Sequence, residues 1–111
     1  MDLVRSEPVE GAVVLAATGR LNLSTAGHLR RVVGDAVDEG RTRVVVDLSE
    51  VVFIDSSGLG ALVGGLKSAR QAGGDLRIAG AGEQVRTVLG LTNLDRVLRP
   101  HASVEDALAG W

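Results

Sequence analysis

The chain has 111 residues, of which 45% are hydrophobic, with 14 acidic and 12 Lys or Arg side chains for a net charge of −2. That is one domain, residues 1–111, long enough to bury roughly two-thirds of the unfolded surface, and its near-neutral charge leaves no footprint for nucleic acid or an anionic membrane as main partner. With no cysteine and only His28 and His101, disulfides and thiolate metal sites are excluded, and the expectation is a chain without cofactor or metal.

In chain order, Leu3–Glu7 reads as a short edge strand and Pro8–Gly11 as a turn. Ala12–Thr18 is a β-leaning apolar run, expected to be covered on both faces. Gly19-Arg20-Leu21-Asn22 is expected to leave the sheet, with Ser24 or Thr25 capping the next helix. From Ala26 to Glu39, Leu29, Val32, Val33, Ala36 and Val37 recur at helical spacing, with His28, Arg31, Asp35 and Asp38 opposite them. Gly40 ends this helix. Arg43–Leu48 is the clearest strand: Val44-Val45-Val46 has no alternation and predicts a central position. Ser49–Asp55 reads as a loop with Phe53 plugging the core beneath it.

A second helix starts at Ser56-Ser57, with Ser56 as cap, and buries Leu59, Leu62, Val63, Leu66 and Ala69 before Gly73-Gly74 ends it. Asp75–Ala79 follows as a strand, Glu83–Leu91 as a short helix and Val97–Arg99 as a short strand. Ser103–Asp106 opens a last helix with a reciprocal cap, and Trp111 is expected to be loosely held. This order predicts an α/β fold with a mixed, mostly parallel sheet of about four to five strands and about four helices, antiparallel at its start. The longest apolar stretch, Leu59–Leu66, is far short of the ~20 residues that span a bilayer. Met1–Gly11 lacks the basic-then-apolar signal-peptide pattern, so a cytoplasmic protein is expected.

Asn22 and Asp55–Ser57 both fall at carboxyl ends of strands, where ligands and partners of such folds sit. Two hydroxyls at a strand-to-helix junction lie where backbone N–H groups are unpaired and the helix dipole is positive. That place suits an anion, including a phosphate carried by one of those serines; equally, one serine caps the helix and the other fills space. Gly60, Ala61, Gly64 and Ser68 follow Ser57 at helical spacing, with Gly65 beside them. Each glycine inside a helix costs about 1 kcal/mol relative to alanine. Such a strip implies close approach either of a neighbouring element or of a partner protein. In the second case a phosphate on Ser57, at the head of the strip, adds charge and bulk that block the partner.

Asp55-Ser56-Ser57-Gly58-Leu59-Gly60 resembles the signature of the STAS domain in the form typical of bacterial anti-sigma factor antagonists. The resemblance extends to Gly19–Asn22, Val45–Leu48, Gly73-Gly74 and Ser103–Leu108. It implies a protein that is not an enzyme. The unphosphorylated antagonist binds an anti-sigma factor that is also a serine kinase, and so releases a sigma factor. The kinase phosphorylates the second serine of the motif, here Ser57, and the complex separates. A PP2C-type phosphatase restores the active form. Carried over residue by residue, Asp55 is the acidic neighbour of the phosphoserine, and Asn22, Ser56, Gly58, Leu59, Gly60, Ala61 and Gly64 shape the site or its partner-binding face. The chain departs from the family at Asn22, where many members carry a carboxylate.

Two other classes compete. The same fold serves as a non-cycling interaction subunit of larger assemblies, stressosome-like or of a lipid-transport ATPase, although the doubled serine favours the switch. An enzyme finds little support: no G-x-S-x-G elbow surrounds Ser57, so Asp55, Ser57 and His101 make a forced triad. Asp55 as a response-regulator phosphoacceptor lacks the acidic pair that would hold Mg²⁺. Lys67 and Arg70 are read as a solvated helix face.

Overall fold

In the computed structural model, which describes residues 1–111, the valine runs are central as their lack of alternation predicts. Strands β1 (Asp2–Ser6), β2 (Ala12–Leu21), β3 (Arg43–Ile54), β4 (Asp75–Ala79) and β5 (Pro100–His101) form one sheet in that order. β1 pairs antiparallel with β2, and the remaining pairs are parallel. Helices α1 (Leu23–Asp38), α2 (Ser56–Gln71) and α3 (Glu83–Leu91) cover one face, and α4 (Val104–Leu108) covers part of the other. Val13, Leu15, Val44, Val46, Leu76 and Ile78 point into the larger core with Leu29, Val33, Leu62 and Leu66. Val14, Val45 and Ala79 point the opposite way, onto Ala107. Strands buried on both faces need apolar residues at every position, which is why period two is absent from the sequence.

Both long strands run further than expected. β2 continues through Gly19-Arg20-Leu21, and β3 through the segment read as the loop Ser49–Asp55. The two remain paired beyond register shifts, with Thr18 opposite Glu50, Gly19 opposite Val51, Arg20 opposite Phe53 and Leu21 opposite Ile54. Past Asp47 this part of β3 has no partner on β4, so it is half solvated and carries polar residues that resemble a loop. Phe53 is half-buried at the surface, not under a loop, with the Arg20 guanidinium 4.6 Å from its ring centre.

The caps differ as well. Asn22, not Ser24 or Thr25, caps α1, so that helix starts three residues earlier than its apolar stripe implies. Asp55, not Ser56, caps α2. Gly40 and Gly73 end α1 and α2 in the left-handed conformation, as their positions predict. The stretch Val97–Arg99 is not a strand: a short 3-10 turn, Leu94–Arg96, precedes it, and pairing begins only at Pro100, a residue tolerated at the start of an edge strand. At α4 only half of the reciprocal cap forms, the Asp106 N–H donating to Ser103 Oγ at 3.1 Å. Trp111 is held, with the Arg77 guanidinium 4.2 Å from its ring centre and its side chain against the α4 layer.

One ion pair ties the edge strand to a helix end. Arg5 Nη2 lies 2.7 Å from Glu39 Oε1, just beyond α1. The hydrogen bond from Arg5 holds the Glu39 carboxyl below the usual carboxylate range, and the charges of Arg5 and Arg41 act in the same direction. A carboxyl with a lowered folded pKa stabilises the fold above its unfolded pKa and loses that contribution as pH falls through the folded value. Urea midpoints of the protein and Glu39→Gln should therefore differ at pH 7 and converge as pH drops below the ordinary glutamate value of about 4.3.

Candidate functional site

β2 and β3 end at the same level, Leu21 opposite Ile54, and each passes directly into a helix. Two helix N-termini therefore start side by side, each with first-turn N–H groups that have no intrahelical acceptor. At α1, Asn22 Oδ1 accepts from the Ser24 N–H at 3.0 Å, and the Asn22 N–H donates to Thr25 Oγ1 at 2.9 Å. At α2, Asp55 Oδ1 accepts from the Gly58 N–H at 3.0 Å. The second Asp55 oxygen reaches across and accepts from the Leu23 N–H of α1 at 3.3 Å. One carboxylate thus binds both helix ends, and the Asp55 N–H returns to the Leu21 carbonyl at 3.2 Å.

Ser56 and Ser57 are the first two residues of α2. Neither hydroxyl has a protein partner, and their N–H groups donate to no protein acceptor. Ser56 is exposed and Ser57 half-buried. The site is therefore a pair of free backbone donors and two unconstrained hydroxyls at the positive end of a 16-residue helix.

The small residues of α2 divide into two groups. A Cβ on Gly58 would meet the Leu21 carbonyl oxygen and lie 2.8 Å from Ile54 Cγ1. Gly65 abuts Leu76 and Val33, where a Cβ would sit at 3.0 and 3.2 Å. Leu59 and Ala61 are buried in the core. Gly58, Leu59, Ala61 and Gly65 are thus accounted for inside the domain, and Leu59 and Ala61 do not belong to an exposed face. Gly60 and Gly64 differ. A Cβ at Gly64 meets nothing within 4 Å, and one at Gly60 meets only the flexible end of Arg30 at 3.4 Å. Together with Ser57 and Ser68 they form a face along the α1–α2 seam without large side chains, beside a groove of about 190 Å³ lined by Arg30 and Val33.

Two further residues were not legible in the sequence. Leu23, 78% exposed, stands at the head of α1 beside Asp55; it lies outside the apolar stripe of that helix, the one signal that could have marked it. Gln84 of α3 grips the end of β3: its Oε1 accepts from the Ile54 N–H at 2.9 Å and its Nε2 donates to the Ile54 carbonyl at 3.1 Å. The side-chain amide replaces the neighbour that β4 no longer supplies there, immediately before Asp55. A single polar residue in a short amphipathic helix gives no advance sign of this.

The STAS domain family model matches residues 4–107. The chain belongs to the STAS domain family. Its architecture agrees with that of the Thermotoga maritima protein TM1081, whose crystal structure superimposes with a TM-score of 0.86 at 32% identity, covering 96% of this chain and 91% of the other. An anti-sigma factor antagonist from Mycobacterium paratuberculosis superimposes with a TM-score of 0.84 at 26% identity, covering 96% and 90%. Among curated relatives, the anti-sigma-F factor antagonist RsfB of Mycobacterium tuberculosis is 31% identical over 102 residues, 90% of this chain and 81% of its own. No helix of this STAS domain is long and apolar enough to cross a membrane.

The division of glycines gives opposite outcomes for one kind of substitution. Gly60→Ala and Gly64→Ala should each raise unfolding free energy by about 0.5–1 kcal/mol, the helix-propensity difference. Gly58→Ala should lower it by roughly 1–3 kcal/mol because backbone must move. Urea denaturation of the three variants measures all of this. Gln84→Leu should strip both hydrogen-bond partners from Ile54 and cost about 1–3 kcal/mol, with faster amide exchange at Ile54 and in the first turn of α2.

Proposed function

We propose that this STAS protein is an anti-sigma factor antagonist whose binding to an anti-sigma factor with serine-kinase activity is switched off by phosphorylation of Ser57. The observation that carries the reading is the position of Ser57: an unbonded, half-exposed hydroxyl at the head of a face on which Gly60 and Gly64 have no packing role within the domain. Glycines that cost helix stability and relieve no internal clash fit the close approach of another protein. Leu23, exposed beside Asp55 at the same end of the helix pair as Ser57, offers that partner an apolar contact. The names of the relatives support the same class of function.

The switch follows from charge. A phosphoserine carries nearly two negative charges and three acceptor oxygens. The free N–H groups of Ser56 and Ser57 and the helix dipole accommodate it in the isolated domain. A partner lying on Gly60 and Gly64 would bury it without compensation, and burying an unpaired charge costs several kcal/mol. No change of fold is required. Asp55 acts here as a positioning residue, since both its oxygens are committed to backbone donors. Asn22 fills the α1 cap without a charge, so one fixed carboxylate, not two, stands beside the phosphate. A PP2C-type phosphatase would complete the cycle by removing the phosphate.

Incubation with the host's anti-sigma kinase and Mg-ATP should add one phosphoryl group by intact mass, absent from Ser57→Ala. Ser57→Ala should retain the partner in the presence of ATP. Ser57→Asp should bind at least about 100-fold more weakly, given a burial penalty of several kcal/mol, while keeping its thermal midpoint. Equal affinity of the two variants would refute the switch.

A further inference from the structure

We propose that a cleft at the open edge of β4, remote from Ser57, binds a small anion carrying a diphosphate group. β5 pairs with β4 only at Ile78 and Ala79. The first part of β4, Asp75–Arg77, therefore has β3 on one side and no strand on the other. The gap holds a cleft of about 490 Å³ whose ionisable lining is Arg70, Asp75, Arg77, Arg96, Arg99 and His101. Ser57 lies at the opposite end of α2 from Arg70, roughly 20 Å along the helix at 1.5 Å per residue.

Four arginines and one aspartate line the cleft, and that carboxylate is already engaged. Asp75 Oδ1 accepts from Arg70 Nε at 3.1 Å and from the Leu76 N–H at 2.9 Å. Arg77 donates to the carbonyls of Ala107 and Ala109 at 2.8 and 3.3 Å and stacks on Trp111. Arg77, Arg96 and Arg99 have no carboxylate within 4.0 Å. This cluster gathers a third of the chain's 12 Lys and Arg residues, although the chain as a whole is at −2. Like charges lining one cleft repel, and no carboxylate pairs with Arg96 or Arg99.

The chemistry of the occupant follows from the lining. Four arginines and one aspartate leave an excess of three positive charges, histidine aside. That matches a diphosphate more closely than a single phosphoryl group, which carries about −1.5 to −2 at neutral pH. Guanidinium forks pair with phosphate oxygens two bonds at a time. The volume lies within the ~300–1,000 Å³ of small-molecule sites and leaves room for an organic remainder. No Phe, Tyr or Trp lines the cleft, and His101 is its one aromatic ring, so charge and not base stacking dominates recognition. The group is either free inorganic diphosphate or the diphosphate end of a nucleotide.

Calorimetric titration of the full chain with inorganic pyrophosphate and, separately, with ADP tests this, with amide NMR spectra locating the site. Pyrophosphate should bind saturably and shift the amides of Leu76, Arg77 and His101, with affinity falling as NaCl rises. The double variant Arg96→Gln/Arg99→Gln, altered at two exposed positions, should keep its thermal midpoint and weaken binding at least about tenfold, as loss of charge-assisted hydrogen bonds implies. Ser57→Ala should bind pyrophosphate unchanged. Tighter binding of ADP than of pyrophosphate would support the nucleotide source, and equal binding the free diphosphate. Absence of saturable pyrophosphate binding, amide shifts confined to the first turn of α2, or undiminished affinity in the double variant would overturn the proposal.

Discussion

The Asp55 carboxylate holds together the end of the domain where α1 and α2 begin. Two parallel strands that finish in register bring two helix N-termini into contact, and their positive dipole ends repel. A carboxylate between them accepts one N–H from each, that of Gly58 in one helix and that of Leu23 in the other. Charge-assisted hydrogen bonds of this kind contribute about 1.5–3 kcal/mol each. The contact also fixes how near α2 comes to β2: the Leu21 carbonyl stands where a Gly58 side chain would begin. Gly58 is thus a consequence of the bridge. So is the aim of Ser57, which follows Asp55 by two residues and has no hydrogen bond of its own to orient it.

Because Asp55 occupies the Gly58 N–H, the next donors along the chain, those of Ser56 and Ser57, remain available to an incoming anion. Capping and anion binding therefore use different N–H groups of one helix end, and a phosphate need not displace the cap. Gln84 completes the frame from the other side. Where β3 outruns β4, its last residue would have an unpaired N–H and carbonyl, and the amide of Gln84 meets both. The end of β3 is thereby held by β2 on one side and α3 on the other.

The valine runs, the amphipathic stripe of α1, the ends at Gly40 and Gly73 and the exact span of α3 were legible in the sequence, because each rests on local pattern or on backbone conformation. The long ends of β2 and β3 were not. They pair on one side only and are partly uncovered, so exposed residues are interspersed among buried ones without regular alternation and include Ser49 and Glu50, which read as turn formers. Caps were misplaced for a related reason: at Asp55-Ser56-Ser57 and Asn22-Leu23-Ser24-Thr25 several adjacent residues can cap, and the choice depends on where a distant strand stops. The glycine strip was visible, but its division was not. Whether a glycine answers to Leu21, to Val33 or to nothing within the chain depends on residues more than 25 positions away.

The open stretch of β4 needs protection in any case, because an unpaired strand edge invites pairing with another chain. Charge alone would serve that end, and scattered lysines would do it without mutual repulsion. Here the protection has a more specific form. The edge N–H of Leu76 is closed by the carboxylate of its own neighbour, Asp75, which also takes Arg70. That small internal salt link shows the preference of the edge: an oxyanion held between a backbone donor and a guanidinium. Arg77, Arg96 and Arg99 repeat the guanidinium half of the arrangement without the oxyanion. The same side chains that discourage a foreign strand thus make the edge a place for a soluble anion, at the amino end of the strand and at the far end of α2 from the serines.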